Sequence, residues 1–118
     1  MIDMGNPVLE KSFRFAIRIV NLNKHLRNVR NEYVLSKQLL RSGTSIGANV
    51  AESQHAQSRA DFLSKLEISL KETSETKYWL RLLHATDYLS SEEFESIFPD
   101  CIELEKLLVS INKSTKKL

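Results

Sequence analysis

At 118 residues, with 42% hydrophobic residues, three Gly and two Pro, the chain is sized for one modest core, and its scarcity of turn-formers argues against an all-β fold. The lone Cys101 excludes an intramolecular disulfide and fits a reduced, cytoplasmic setting; the opening MIDMGNPVLEKSF has no apolar run, so no secretory signal is expected. A formal net charge of +2 conceals a polarised chain: residues 1–41 hold eight Lys/Arg against three Asp/Glu, residues 42–110 six against twelve, and residues 111–118 add three Lys, a pattern suited to a basic nucleic-acid surface or to neutralisation between subunits.

In chain order, Asn6-Pro7 reads as an N-cap followed by proline in the first helical turn, and apolar periodicity predicts a helix over 7–28. Val8, Phe15, Ile19, Leu22 and Leu26 form one stripe, with Leu9, Phe13, Ala16, Ile17 and Val20 beside it. Together they make a wider apolar face than a simple bundle helix requires. The remainder of that helix holds Lys11, Arg14, Arg18 and His25 at helical spacing.

A second helix is predicted over 32–55 and contains QLLRSGTSIGANVAE, rich in small residues. Each glycine costs a helix about 1 kcal/mol relative to Ala, so Gly43 and Gly47 imply a compensating close approach of another backbone. A helical wheel puts Leu39, Gly43, Ile46, Gly47, Val50 and Ala51 on a packing face and Arg41, Thr44, Ala48 and Glu52 opposite. Flanking Gln38, Arg41, Asn49 and Glu52 exclude a membrane span despite the GxxxG spacing, and no Lys follows Gly47 to make a phosphate loop.

Ser58 with Asp61 resembles a capping box and opens a third predicted helix, 59–88, with a seam of Phe62, Leu66, Ser69, Thr73, Thr76, Leu80 and Leu83. Ser90 and Glu93 form a full capping-box pattern for the fourth, 91–113, with a seam of Phe94, Ile97, Phe98, Cys101, Leu104, Leu108 and Ile111. Pro99 predicts a kink or break near 95–99, and the terminal NKSTKKL a frayed tail. Four amphipathic helices with short connections define an all-α fold, an up-and-down four-helix bundle in one domain over 1–118.

The order Gln38-Leu-Leu-Arg41, Ser45-Ile46, Asn49-x-Ala51-Glu52, then Asp61-Phe62-Leu63, Ser69-Leu70-x-Glu72, Tyr78-Trp79-Leu80 and Asp87-Tyr88-Leu89 resembles the 23S rRNA intervening-sequence proteins. These are small bacterial four-helix bundles similar also to accessory proteins of diversity-generating retroelements. The match spans about residues 9–110 and departs at Ser53, where the family often has Gly. The resemblance implies a non-enzymatic bundle in a ring-like homo-oligomer, a pentamer, with nucleic-acid binding in some relatives.

Three constellations bear on function. Gln38, Arg41, Ser45, Asn49, Glu52, Glu72 and Glu75 read as a structural polar network or interface, since nothing among them pairs a nucleophile with a base. Lys11, Arg14, Arg18 and His25 are either the wet face of a helix or a phosphate-contacting surface, extended by Arg27, Arg30, Lys37 and by Lys113, Lys116 and Lys117. Glu52-x-x-His55 has the spacing of one half of a di-metal bundle site, but Leu22 and Arg81 precede His25 and His84 by three, so the second half is missing and no metal or other cofactor is expected. Tyr78, Trp79 and Cys101 read as packing residues. The leading reading is a cytoplasmic, non-catalytic homo-oligomer that contacts RNA or DNA through its basic stripe, against a protein-interaction scaffold without nucleic acid and, more remotely, a metal-dependent bundle enzyme.

Overall fold

A computed structural model describes residues 6–117 as four helices: α1 (Pro7–Asn28), α2 (Leu35–Ser53), α3 (Arg59–Ala85) and α4 (Ser91–Lys116). Each helix packs against its chain neighbours, α1 closes the bundle against α4, and the extents are 46 × 24 × 20 Å. This is an up-and-down four-helix bundle, as the apolar periodicity predicts.

The sequence signals for helix starts act as expected. Asn6 Oδ1 accepts the Leu9 N–H at 3.1 Å, Ser58 Oγ that of Asp61 at 3.0 Å, and Ser90 and Glu93 bond each other reciprocally. The second helix begins at Leu35 rather than 32 because Glu32 is its cap: the carboxylate accepts N–H bonds from Val34, Leu35 and Ser36 at 3.1, 3.0 and 2.6 Å. Burial raises the Glu32 pKa, but these three N–H donors outweigh it and hold the carboxyl below its ordinary value. α3 stops at Ala85, not 88, because Asp87 adopts a left-handed backbone, φ 68°, and the N–H groups of Asp87 and Tyr88 turn back to the carbonyls of His84 and Leu83.

The core is built from the predicted seams. Phe15, Ile19 and Leu26 of α1, Leu39, Ile46 and Val50 of α2, Leu66, Leu80 and Leu83 of α3, and Ile97, Cys101, Leu104 and Leu108 of α4 are buried. Hydroxyls share this interior: Ser69 Oγ donates to the Ile46 carbonyl at 2.7 Å, and Thr76 Oγ1 to Ser42 Oγ at 2.9 Å, so α2 and α3 are hydrogen-bonded as well as packed.

Two further expectations are corrected. There is no break in α4, which is assigned as one helix through Pro99, because Pro99 and Glu95 lie on the exposed side, where water can serve the carbonyl that loses its N–H donor. The tail remains helical to Lys116, held by burial of Thr115 and by the Lys116–Glu67 ion pair at 3.2 Å.

Candidate functional site

α1 meets α2 through the glycines. A Cβ on Gly43 would lie 2.8–3.0 Å from three side-chain carbons of the fully buried Ile19, and one on Gly47 only 3.0 Å from the Ser12 carbonyl oxygen. Both positions therefore admit α1 at a distance where even a methyl group would be crowded. Ala51, expected on this packing face, is exposed instead: α2 turns Leu39, Ile46 and Val50 inward, and Ala51 clears both neighbouring helices.

The basic stripe has partners. Lys11 Nζ lies 2.6 Å from Glu103, Arg18 reaches Asp100 at 2.6 Å and the Ser96 carbonyl and hydroxyl at 2.9 and 2.7 Å, and His25 Nε2 sits 3.2 Å from Glu93 without a hydrogen bond to it. These contacts zip α1 to α4 and border an open groove of about 490 Å³ lined by Arg18, Leu22, Glu93, Ser96 and Ile97. Among the described residues Arg14 pairs within its own helix, with Glu10, and its side chain is 71% exposed. The stripe reads as solvent-facing from α1 alone; the complementary signal is the run Glu93, Asp100, Glu103 on α4, whose antiparallel order matches His25, Arg18, Lys11.

The predicted polar set divides. Arg41 bridges Glu72, at 3.3 Å, and Glu75, and the Trp79 indole N–H donates to Glu75 at 3.0 Å. That indole bond first, and Arg41 second, hold the Glu75 carboxyl below its ordinary value, while Glu75 holds the Arg41 guanidinium charged. Ser45 and Asn49 instead donate to carbonyls one turn back in α2, at 2.6 and 2.9 Å, and Glu52 faces Lys65 at 3.6 Å. Gln38 is exposed and takes no part in the cluster. Arg41, Glu72, Glu75 and Trp79 thus tie α2 to α3, with no nucleophile among them.

Among the described residues no group of three or more His, Cys, Asp or Glu is placed to hold a metal ion, and no helix is long and apolar enough to cross a membrane. Burial pushes the Cys101 thiol up to about 12, which keeps it protonated and unreactive at neutral pH. A second open groove of about 510 Å³ is lined by Tyr78, Arg81, His84 and Phe94; there His84 stacks on Phe94 at 4.4 Å, a packing contact.

Beside these polar groups, α1 also turns an apolar stripe outward. Phe13, Ile17 and Val20 are 67%, 48% and 37% exposed. Phe13 follows Ser12, the residue against Gly47, and on α2 the small residues Ala48 and Ala51 are outward too.

Residues 5–110 match the family described as 23S rRNA-intervening sequence protein. Among solved structures, the chain is similar to a protein of unknown function from the S23 ribosomal protein family of Bacteroides thetaiotaomicron, with 59% identity and a TM-score of 0.89 over 90% of this chain and 98% of that one. No curated protein matches. Neither description names an enzymatic activity. With nearly its whole length matched in sequence and the same bundle in three dimensions, the chain belongs to the 23S rRNA-intervening sequence protein family.

Proposed function

We propose that this chain is a non-catalytic, cytoplasmic building block that assembles with copies of itself through the outer faces of α1 and α2, and that the assembly offers basic groups to RNA or DNA. The observation that carries self-association is the exposed Phe13-Ile17-Val20 stripe, with small residues of α2 outward too. A contiguous apolar stripe on a small soluble bundle marks an interaction site, and small outward residues let a second helix come close. The family resemblance favours a pentamer. Light scattering on the purified protein tests this: a mass several times the 13.6 kDa of the chain is expected, falling to one chain in Phe13→Glu/Ile17→Glu with helix content retained. A wild-type protein that stays monomeric at high concentration refutes it.

The nucleic-acid reading rests on a separate observation. Between Lys11 and Arg41 there are eight Lys/Arg and a single acid, Glu32, and that acid is buried as the α2 cap. Anisotropy of labelled RNA and DNA across a salt series tests it; contacts to three phosphates per subunit give a slope of log affinity against log salt of about −2 to −3. Absence of binding at low salt would leave the scaffold reading.

A further inference from the structure

Pairing with α4 occupies Lys11, Arg18 and His25, and Arg30 is tied to Glu93 and the Asp87 carbonyl. By contrast Lys24, Arg27 and Lys37 have no carboxylate within 4 Å among the described residues, and all three belong to the end of the bundle where α1 turns into α2. The same turn presents Tyr33, 55% exposed, flanked by the outward Val29 and Val34. The Arg27 guanidinium lies over the Tyr33 ring at 5.7 Å from its centroid, and the Tyr33 hydroxyl donates to Asn31 Oδ1 at 3.2 Å, fixing the ring against a residue whose left-handed backbone, φ 55°, reverses the chain. Glu32, the one acid of the turn, points its carboxylate into the first turn of α2.

An exposed aromatic ring held by a guanidinium and flanked by unpaired cations is the combination that contacts single strands: the ring stacks an unpaired base while the cations take the phosphates on either side. In a duplex the bases are already stacked on one another, so an isolated ring gains nothing there. Arg59, Lys71, Arg81, Lys106, Lys113 and Lys117 also have no carboxylate within 4 Å among the described residues; of these Arg81 lines a groove with the exposed Tyr78, but among the described residues only Tyr33 has a guanidinium over its ring. Two valines and a tyrosine give too little apolar bulk to anchor in a lipid surface, and the ring-and-cation arrangement favours nucleic acid.

We infer that the α1–α2 turn is the contact site for single-stranded nucleic acid, with Tyr33 stacking a base and Lys24, Arg27 and Lys37 contacting its phosphates. The inference rests on the nucleic-acid reading above and moves its site from the α1 stripe to the turn.

Anisotropy with labelled oligo-uridine, oligo-thymidine and a duplex of equal length, over a salt series, tests it on the full chain. Tyr33→Leu is expected to weaken single-strand binding roughly tenfold, with Tyr33→Phe near wild type, the scale of one lost base stack. Lys24→Gln/Arg27→Gln/Lys37→Gln is expected to flatten the salt slope by about 2, at roughly 0.7 per phosphate contact on a single strand. Lys113→Gln/Lys117→Gln serves as the control and is expected to change neither quantity; circular dichroism confirms that each variant is folded. If wild type binds but the turn variants bind equally well, or if Arg14→Glu/Arg18→Glu alone abolishes binding, the turn is not the site and the nucleic-acid reading survives. No wild-type binding at low salt refutes both. Preference for the duplex, or binding to phosphatidylglycerol vesicles without binding to either oligonucleotide, overturns the inference.

Discussion

α1 has two neighbours and meets them by opposite means. Against α2 the contact is steric: glycines at 43 and 47 bring the backbones together, with Ile19 and Ser12 filling the space a side chain would need. Against α4 the contact is largely electrostatic at its edge, with Lys11, Arg18 and His25 reaching across to carboxylates beside an open groove. The tight side has no tolerance for added volume and little sensitivity to salt. The charged side tolerates volume, and its pairs, each well exposed, are screened by salt.

The sharpest way to break this contrast is Gly47→Leu. The clash is with backbone, which no rotamer change relieves, so a loss of about 3 kcal/mol or more is expected in denaturant unfolding. An unchanged midpoint would mean that α1 and α2 part without cost. Next, Glu32→Gln removes the charged acceptor that starts α2 beside the same interface, and is expected to cost about 1–2 kcal/mol at neutral pH. Because the folded pKa of Glu32 is lowered, its contribution is fully present above the unfolded value of about 4.3 and disappears as pH falls through the folded value. Wild type and variant should therefore converge in stability in acid; a gap that persists at low pH would assign the effect to something other than charge.

Smaller still is Gly43→Ala. Overpacking against Ile19 costs about 1–3 kcal/mol and the gain in helix propensity returns about 1, leaving a net loss near 1 kcal/mol. Removing one of the clashing methyls with Ile19→Val in the same chain should recover part of that loss, and simple additivity of the two substitutions would argue against direct contact. At the bottom of the scale, Arg18→Gln on the α4 side is expected to cost less than about 1 kcal/mol, and less again in high salt. A cost equal to that of Gly47→Leu would erase the distinction between the two sides.

The bundle was readable because burial repeats with the helical period: even the hydroxyl residues Ser69, Thr73 and Thr76 fall in the α3 seam by position alone. The start of α2 was harder to place because Glu32 caps it through a longer carboxylate side chain, outside the Ser/Thr pattern that marks α3 and α4. Pro99 gives a strong local signal for a break, yet an exposed carbonyl can take water, so tertiary position overrides it. For the candidate sites the limit is different. A helical wheel shows which residues share a face but not what stands opposite, so Lys11, Arg18 and His25 looked free until α4 was placed beside them, while Arg27 and Lys37 looked like their extension and Lys24 went unmarked.

The hydroxyls between α2 and α3 bear on how the chain avoids folding incorrectly. Leucine seams repeat every turn, so two such helices can slide by one turn and still match oil to oil. The Ser69 bond opposes this: a one-turn slip takes its hydroxyl from the Ile46 carbonyl, whereas Thr76, parted from Ser42, keeps the Glu72 carbonyl of its own helix. A buried polar group left without a partner costs about 1–3 kcal/mol. Ser69 thus acts as a pin between α2 and α3, contributing little to the strength of the correct arrangement but making the neighbouring wrong one more expensive.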